Sequence, residues 1–301
     1  MKIDIEKIEV GNWTEIDGYS SRGRRVKCWL EKIFDGTIYI YKEPKELQKP
    51  KHFVTQEIWT EYIAYKIGTF LGLNIPEAIP AQYNLKNINT YGILIKSFIT
   101  KEESLIEAQD FFANTTLTHN LEDIKHILTL KGFTVGNSWE NYKKMLIFDC
   151  LIGNNDRHDE NWGFCFNGKT KNVKLSPIYD NASCLASGYD EDKVLELLSN
   201  EEKCNKYIYG PKSRPPNLYL SKEDKNRYNH YEIIQYLIEN ENDMKNLIDQ
   251  LLEKNYIDFV DDIIKKIQQL DLPKDYQISD NRRNVILKIL HKRREKLKEL
   301  V

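Results

Sequence analysis

Apolar and polar residues alternate in short runs over the first hundred residues, and this pattern predicts a β-sheet with one helix. Four runs rich in β-branched and aromatic side chains are predicted to be strands: 26–34, 37–42, 79–85 and 91–99. Between the second and third strands, apolar residues recur at helical spacing over 55–72, with Thr55 as a candidate N-cap and Gly72 as a stop signal. The predicted order is therefore strand, strand, helix, strand, strand.

Helical periodicity dominates after the first hundred residues. It is carried by the segments 121–130, 138–153, 190–200, 226–254, 256–270 and 280–300. Ser138 is a candidate N-cap, and Pro273 separates the last two predicted helices. A strand hairpin with its turn at Asn167-Gly168 interrupts the helices, and a loop with three prolines is predicted over 209–220.

These patterns divide the chain into a small β-rich lobe, residues 1–100, and a larger helical lobe, residues 101–301. They predict an α+β fold with two lobes. The chain has 301 residues, of which 41% are hydrophobic, so it can bury a core of this size. Its formal net charge of −2 gives no bulk attraction to nucleic acids, so direct nucleic-acid binding is not expected.

The sequence also bears on the compartment of the protein. No apolar run approaches the ~20 residues that span a bilayer, so no membrane span is expected. The N-terminus has no apolar signal core, and the five cysteines are scattered without a CxxC pair. A cytoplasmic location with reduced thiols is therefore expected.

The segment LIGNNDRHDENWGF, residues 151–164, follows a predicted helix and is dense in charged and amide side chains. Within it, Asp156 and Asn161 are separated by four residues. Kinase catalytic loops share this D-x-x-x-x-N spacing, in which the aspartate lies beside the attacking hydroxyl and the asparagine oxygen reaches a metal ion. Either residue alone would be an ordinary turn residue, so the prediction depends on the pair.

Asp180 follows the predicted hairpin, which would return the chain to Asn161. A carboxylate and an amide oxygen that meet there could hold Mg²⁺, a cation that takes oxygen ligands and bridges phosphates. Taken alone, Asp180 would more simply be a turn residue after Pro177.

Lys42 and Glu61 fit the nucleotide-binding half of a kinase site. Lys42 ends a predicted strand and Glu61 lies in the next helix, and kinases use such a pair to place the lysine on nucleotide phosphates. Glu57, one turn earlier, competes with Glu61 for this role. Upstream, the small residues of GYSSRGRRVK (18–27), among them Gly23, could let backbone N–H groups approach phosphates, although an ordinary turn would also use them.

Along the chain, the loop of small residues, Lys42, Glu61, the D-x-x-x-x-N loop and Asp180 follow one another in the order found in two-lobed kinases, and this order predicts a kinase. The chain resembles the HipA-like serine/threonine kinases, the toxin kinases of bacterial toxin–antitoxin systems. LIGNNDRHDENWGF and the later LSPIYDNAS are similar to that family's catalytic loop and metal-binding segment. The resemblance implies Asp156 as the catalytic base, with Asn161 and Asp180 as Mg²⁺ ligands. It therefore implies Mg²⁺-dependent transfer of a phosphate from ATP to a serine or threonine of a protein substrate.

The resemblance also extends to the β-rich lobe. Lys42, in IYIYKEP, matches the family's nucleotide-phosphate lysine, and Glu61 matches its acidic helix position. LIKSFI resembles the hinge, which would place backbone groups of Lys96, Ser97 and Phe98 against adenine.

The chain departs from the family in three places. Full-length members carry an additional N-terminal subdomain, so this chain is expected to be a short member that acts alone or with an antitoxin or small accessory protein. The metal segment has Tyr-Asp-Asn in place of Asp-Phe-Gly. His158 stands where many protein kinases have a lysine, and it either contacts phosphate, orients Asp156 or braces the loop. Arg157 is expected to be structural or to tether phosphate.

Two other functions stay open. The Asp-Arg-His-x-x-Asn motif is also similar to phosphatidylinositol kinases, which would make the substrate a lipid. The basic amphipathic segment 280–300 could instead serve a binding module that needs no nucleotide, although the outer face of a packed helix would look the same.

Ser20 and Ser21 are hypothesised sites of autophosphorylation that lowers activity. The resemblance implies this, because HipA-like kinases are regulated through a serine in this loop. The cations that follow could hold a phosphoserine, which adds about −1.5 to −2 charges. They are Arg22, Arg24, Arg25 and Lys27. A turn of small residues is the alternative.

Overall fold

The computed structural model describes residues 3–16, 27–48, 52–84, 89–130, 134–216 and 218–301. The strands of its first hundred residues are β1 (Glu6–Ile8), β2 (Trp13–Glu15), β3 (Lys27–Lys32), β4 (Ile38–Lys42), β5 (Glu46–Leu47), β6 (Phe53–Val54), β7 (Ala78–Tyr83) and β8 (Thr90–Lys96). β5 and β6 form a small hairpin, and the other six form one sheet in the order β1-β7-β8-β4-β3-β2. Neighbouring strands are antiparallel except β1 and β7, which are parallel.

The central strand β8 is buried on both faces of this sheet. Leu94 packs into a small apolar cluster on one face. Ile93 and Ile95 point the other way, into the main core shared with helix α1 (Glu57–Leu71). Lys42, the last residue of β4, is paired in register with Ile93 and so lies next to the main core.

Helix α1 ends where the sequence predicts, at Gly72, whose φ of 80° is left-handed and suits glycine. The predicted cap at Thr55 is wrong, because Gln56 occupies the N-cap position. The hydroxyl of Thr55 instead donates to the carboxylate of Glu57 at 3.0 Å.

Helices make up most of the rest of the chain. They are α2 (Ala108–Ala113), α3 (Leu121–Thr129), α4 (Ser138–Ile152), α5 (Glu191–Ser199), α6 (Glu201–Tyr209), α7 (His230–Asn240), α8 (Met244–Leu252), α9 (Tyr256–Gln268) and α10 (Asp280–Lys298). Most of α4 is buried, and its N-cap is Asn137 and not the predicted Ser138. No helix in these described ranges is long and apolar enough to cross a membrane.

The predicted helix over 226–254 is two helices, α7 and α8, because the chain turns between them. Glu241 and Asp243 lie in this turn and bind the buried amine of Lys143 in α4. The short helix α6 was not predicted.

A second sheet lies among the helices. It consists of β9 (Glu103–Glu107), β10 (Gly163–Asn167) and β11 (Val173–Leu175), in the order β11-β10-β9. The hairpin of β10 and β11 is the one predicted from the sequence, whereas β9 was not predicted. A Cβ at Gly163 would lie 2.2 Å from the carbonyl oxygen of Ile106, so the close approach of β9 requires glycine there.

Candidate active site

Helix α4 ends at Gly153, where the predicted catalytic loop begins. Gly153 has a φ of 68°, and a Cβ there would lie 2.8 Å from the guanidinium group of Arg293. Both the backbone conformation and the space therefore require glycine. Asn154 then turns the chain, since its amide donates to Asp149 at 3.1 Å and its side-chain oxygen accepts the N–H of Asp156 at 3.1 Å.

The carboxylate of Asp156 is 42% exposed, so a substrate can reach it. Its Oδ2 accepts a hydrogen bond from the hydroxyl of Ser183 at 3.1 Å. Its Oδ1 lies 3.8 Å from Nε2 of His158, which is too far for a hydrogen bond. Ser183 thus holds one oxygen of this carboxylate, and no donor among the described residues bonds to the other.

His158 bonds to its own loop. Its Nδ1 lies 3.2 Å from the backbone nitrogen of Glu160, and its Nε2 lies 3.2 Å from Nδ2 of Asn161. A neutral imidazole has one acceptor nitrogen, so one of these two contacts is the hydrogen bond. In either case the ring braces the loop, which supports that role over direct contact with phosphate.

Asn161 closes the loop back onto Asp156. Its side-chain nitrogen donates to the backbone carbonyl of Asp156 at 2.7 Å, and the residue is only 6% exposed. Because the nitrogen is used in this bond, the amide oxygen is the atom that can bind a cation.

The guanidinium group of Arg157 is buried and ties three segments together. It binds both carboxylate oxygens of Asp149 in α4, at 2.9 Å and 3.0 Å. Its Nη1 donates to the carbonyl of Asn161 at 2.6 Å and also to that of Tyr179, while Nη2 donates to Oδ1 of Asn181 at 2.6 Å. Because one nitrogen binds the backbone at both 161 and 179, the two predicted metal-binding segments lie side by side.

Asp180 meets Lys42 of the main sheet. Its Oδ1 lies 3.2 Å from the amine of Lys42, which is almost fully buried. Asp180 has a φ of 57°, a left-handed conformation that is uncommon for a residue with a Cβ. Such conformations are held in place by surrounding contacts and cluster at functional sites.

Glu61, in α1, interacts electrostatically with Lys42. Burial raises the pKa of this carboxyl, and the positive charge of Lys42 opposes the rise. Both of its oxygens accept the backbone N–H of Asn181, at 3.2 Å and 2.9 Å. The carboxylate of Glu57 instead accepts the backbone N–H of Lys45 at 3.0 Å and lies 3.4 Å from the amine of Lys45. Among the described residues, Lys42 forms an ion pair with Asp180 and with neither glutamate, while Glu61 binds the backbone of the segment that carries Asp180.

The predicted hinge begins at Lys96, the last residue of β8, and continues through Ser97 and Phe98. The backbone N–H groups of Lys96 and Ser97 donate to carbonyls of the protein, both at 2.9 Å. Phe98 stacks on Tyr179, with ring centroids 5.4 Å apart and planes at 28°. Among the described residues no acceptor binds the N–H of Phe98, whereas the N–H groups of Lys96 and Ser97 are both used.

Three residues of this arrangement were missed from the sequence: Asp149, Asn181 and Ser183. Asp149 lies in the apolar half of SWENYKKMLIFDCLIG and is fully buried in the structure. A carboxylate in an apolar helix segment needs a cationic partner, and this feature of the sequence could have identified it. Asn181 and Ser183 belong to the quoted LSPIYDNAS, but no known spacing marks them.

Three predicted residues lie outside the described part of the chain: Gly23, Ser20 and Ser21. Their roles stay predictions. The described chain resumes with β3, where Lys27 pairs in register with Lys42.

The basic residues of α10 are largely used inside the protein. The ion pairs are Arg282–Glu191, Arg283–Asp261, Lys288–Glu201 and Lys292–Glu201. Arg293 is buried and donates to the carbonyl of Cys150 at 2.9 Å. These contacts favour a packing role for this helix over a basic surface for an external partner.

The model of one protein family, the HipA-like C-terminal domain, matches residues 19–256. The chain belongs to this family. The serine/threonine-protein kinase CtkA of Helicobacter pylori is 26% identical to it over 265 residues, which are 84% of this chain and 72% of that protein. Family membership and this relative confirm the predicted enzyme class, a phosphotransferase.

Two solved structures share the fold. The crystal structure of the Helicobacter pylori proinflammatory kinase CtkA matches with a TM-score of 0.79 at 20% identity, over 99% of this chain and 96% of that one. HipA from the Shewanella oneidensis complex of HipA, HipB and operator DNA matches with a TM-score of 0.51 at 12% identity, over 98% and 67%. These likenesses confirm the predicted α+β, kinase-like fold.

Proposed function

We propose that this protein transfers the γ-phosphate of ATP to a serine or threonine hydroxyl of a protein, with Mg²⁺. One observation carries the proposal. Arg157 joins the loop of Asp156 and Asn161 to the segment of Asp180. Asp180 in turn binds Lys42 of the main sheet. The groups that phosphoryl transfer needs thus converge from the sheet and the helical part.

Each side chain has a part that its contacts allow. Oδ1 of Asp156 accepts the proton of the substrate hydroxyl. The hydroxyl oxygen attacks the γ-phosphorus at the same time, and the bond between the γ-phosphorus and ADP breaks. Lys42 binds the phosphates of the nucleotide. Asn161 offers an amide oxygen and Asp180 a carboxylate, which are the donor atoms that suit Mg²⁺. These two residues would hold Mg²⁺, which would supply positive charge to balance that of the phosphates. His158 braces the loop that carries Asp156 and Asn161.

The nucleotide is assigned to the β-rich lobe, residues 1–100, and the catalytic and metal residues to the helical lobe, residues 101–301. Adenine would lie against the hinge of Lys96, Ser97 and Phe98. The stack of Phe98 on Tyr179 supports this assignment, because it places the hinge next to the residue before Asp180. The loop of Gly23 would cover the phosphates.

A protein substrate is favoured over a lipid. The relative from Helicobacter pylori is named a serine/threonine-protein kinase. In addition, the cations of α10 bind partners within the chain, so this helix offers few free charges to a lipid surface. The ion pairs of α10 with the rest of the chain also count against a binding module that needs no nucleotide.

The proposal includes a partner and a compartment. HipA of Shewanella oneidensis was solved with HipB as a toxin–antitoxin system. By analogy, this chain would be the toxin of such a pair and would bind an antitoxin or small accessory protein. All five cysteines are free thiols, which suits the reducing cytoplasm.

Ser20 and Ser21 are proposed to receive phosphate from this same site and thereby lower activity. The support is the sequence alone, where four cations within six residues follow Ser21 and could bind a phosphoserine. Mass spectrometry after incubation with Mg-ATP tests it. Phosphate at either serine, absent from Asp156→Ala, is the expected result, and an active enzyme with neither serine labelled would rule it out.

Transfer of label from [γ-³²P]ATP into a heat-treated bacterial lysate tests the main proposal. Heating inactivates the lysate's own kinases, and phosphatidylinositol vesicles form a second arm. We expect labelled protein with Mg²⁺, no label after chelation, and almost none with Asp156→Asn or Asp180→Asn. Label in the vesicles alone would assign a lipid kinase. ATP binding without any transfer would overturn the assignment of a kinase.

A further inference from the structure

Ser183 is the residue through which the metal segment contacts the proposed base. Its hydroxyl donates to Oδ2 of Asp156 at 3.1 Å. Among the described residues, no other hydrogen bond to this carboxylate is present. The Asp156 side chain is 42% exposed, so little packing restrains its carboxylate. Among the described residues, the hydroxyl of Ser183 is therefore the hydrogen-bond donor that restrains Oδ2.

The backbone around Ser183 is itself held on several sides. The carbonyl of Ala182 accepts the hydroxyl of Thr60 at 2.6 Å, and the N–H of Asn181 is bound by Glu61. On the other side, the backbone N–H of Leu185 donates to the end of α4 at 3.2 Å. Because the backbone is anchored both before and after Ser183, its hydroxyl is held where it can orient a side chain on the adjacent loop.

We infer that Ser183 is a positioning residue for the transfer step. It binds Oδ2 of Asp156, so that Oδ1 is presented to the substrate hydroxyl at a fixed distance from Asp180, three residues before Ser183. Proton acceptance requires a contact of about 2.6–3.2 Å, and a carboxylate free to turn spends little time in that geometry. In this role Ser183 acts through Asp156 and not by its own contact with nucleotide or substrate. This inference rests on the proposed kinase function.

The test compares initial rates of ³²P transfer from ATP into heat-treated lysate protein for the wild type and for variants of Ser183. Loss of a hydrogen bond to a charged group should lower kcat about 10- to 100-fold in Ser183→Ala. The KM for ATP and the calorimetric affinity for Mg-ATP should stay within about twofold, because binding does not use this hydroxyl. Ser199→Ala, at an exposed serine of α5, should match the wild type.

Two comparisons separate positioning from a structural effect. Ser183→Thr keeps the hydroxyl, and the valine of Ser183→Val has the shape of threonine without the hydroxyl. The threonine variant should therefore transfer phosphate about tenfold faster than the valine variant, or more. In an Asp156→Ala background, adding Ser183→Ala should change the residual rate less than twofold, because there is no carboxylate to orient.

The possible outcomes distinguish failure of the proposed kinase function from failure of the role of Ser183. A wild type that transfers no phosphate would overturn the proposed function and the role of Ser183 with it. An active wild type matched by Ser183→Ala, or equal rates for the threonine and valine variants, would overturn the role of Ser183 alone. Equal losses from Ser183→Ala with and without Asp156 would do the same.

Discussion

Arg157 binds Asp149 through two parallel hydrogen bonds, of 2.9 Å and 3.0 Å, in a pair that is shut off from solvent. The same guanidinium group holds the backbone carbonyls of Asn161 and Tyr179. Through this arginine, Asp149 of helix α4 holds together the loop of Asp156 and Asn161 and the segment that carries Asp180. An arginine suits this task, since its planar group has five donors in a fixed geometry.

Arg157→Lys should destabilise the protein strongly. Lysine has no planar fork, so Asp149 would be left as a poorly paired buried charge, and the free energy of unfolding should fall by about 3–5 kcal/mol. Urea denaturation measures it. The matched control is Arg283→Lys, which changes a partly exposed pair with Asp261 and should cost less than about 1 kcal/mol. Equal losses in the two variants would contradict this account of the buried pair.

Substitutions of Lys42 and of Asp156 should affect ATP binding and phosphate transfer differently. Lys42→Ala removes a phosphate contact and should weaken ATP binding, whereas Asp156→Asn should bind ATP almost normally and lose about 10²–10⁴-fold in kcat. Isothermal titration and single-turnover rates measure the two effects. Lys45→Ala is the control for Lys42, because Lys45 pairs with Glu57 and is about half exposed. If Lys42→Ala kept both affinity and turnover, Lys42 would not belong to the site.

The ion pair between Lys42 and Asp180 leads to a prediction about Mg²⁺. Wild-type protein should bind ATP more tightly with Mg²⁺ than after chelation with EDTA, because under the proposed function the metal would join Asp180 to the phosphates. Asp180→Asn should lose most of this difference. Asp159→Asn, in the catalytic loop but outside the proposed ligand set, should keep it. Calorimetric titrations with and without Mg²⁺ provide the measurement, and an unchanged metal dependence in Asp180→Asn would remove Asp180 from the ligands.

The sequence identified the parts of this site that depend on local spacing. Asp156 and Asn161 lie on one short loop, and the hydrogen bond between them follows from that spacing. Asp180 was predicted because the hairpin of β10 and β11 returns the chain, which needs only a turn signal at Asn167-Gly168.

Contacts between distant segments could not be predicted in this way. The choice between Glu57 and Glu61 depends on which side of α1 faces Asn181, 120 residues after Glu61. The register of β9 against β10 joins segments with α2, α3 and α4 between them, and periodicity carries no such information. Strands of three residues such as β1 are too short to show alternation.

His230, at the start of α7, gives a pH dependence of stability. It is buried, and its Nε2 lies 3.3 Å from Oδ1 of Asn155 in the catalytic loop. Burial lowers its pKa well below the ordinary value of 6.5, and the nearby charge of Arg293 adds to this. The folded protein therefore leaves His230 neutral at a pH where the unfolded chain already binds a proton there.

Below about pH 6.5 this difference should cost the wild type up to about 1.4 kcal/mol of unfolding free energy per pH unit. The sign follows because the unfolded state binds the extra proton and is favoured as the pH falls; above pH 6.5 both states are neutral and the effect vanishes. His230→Gln should show a shallower decline between pH 6.5 and 5, whatever its stability at pH 7. His126→Gln, at an exposed position of α3, should keep the wild-type slope. Urea titrations across this range measure all three slopes, and parallel curves for wild type and His230→Gln would show that His230 is protonated equally in both states.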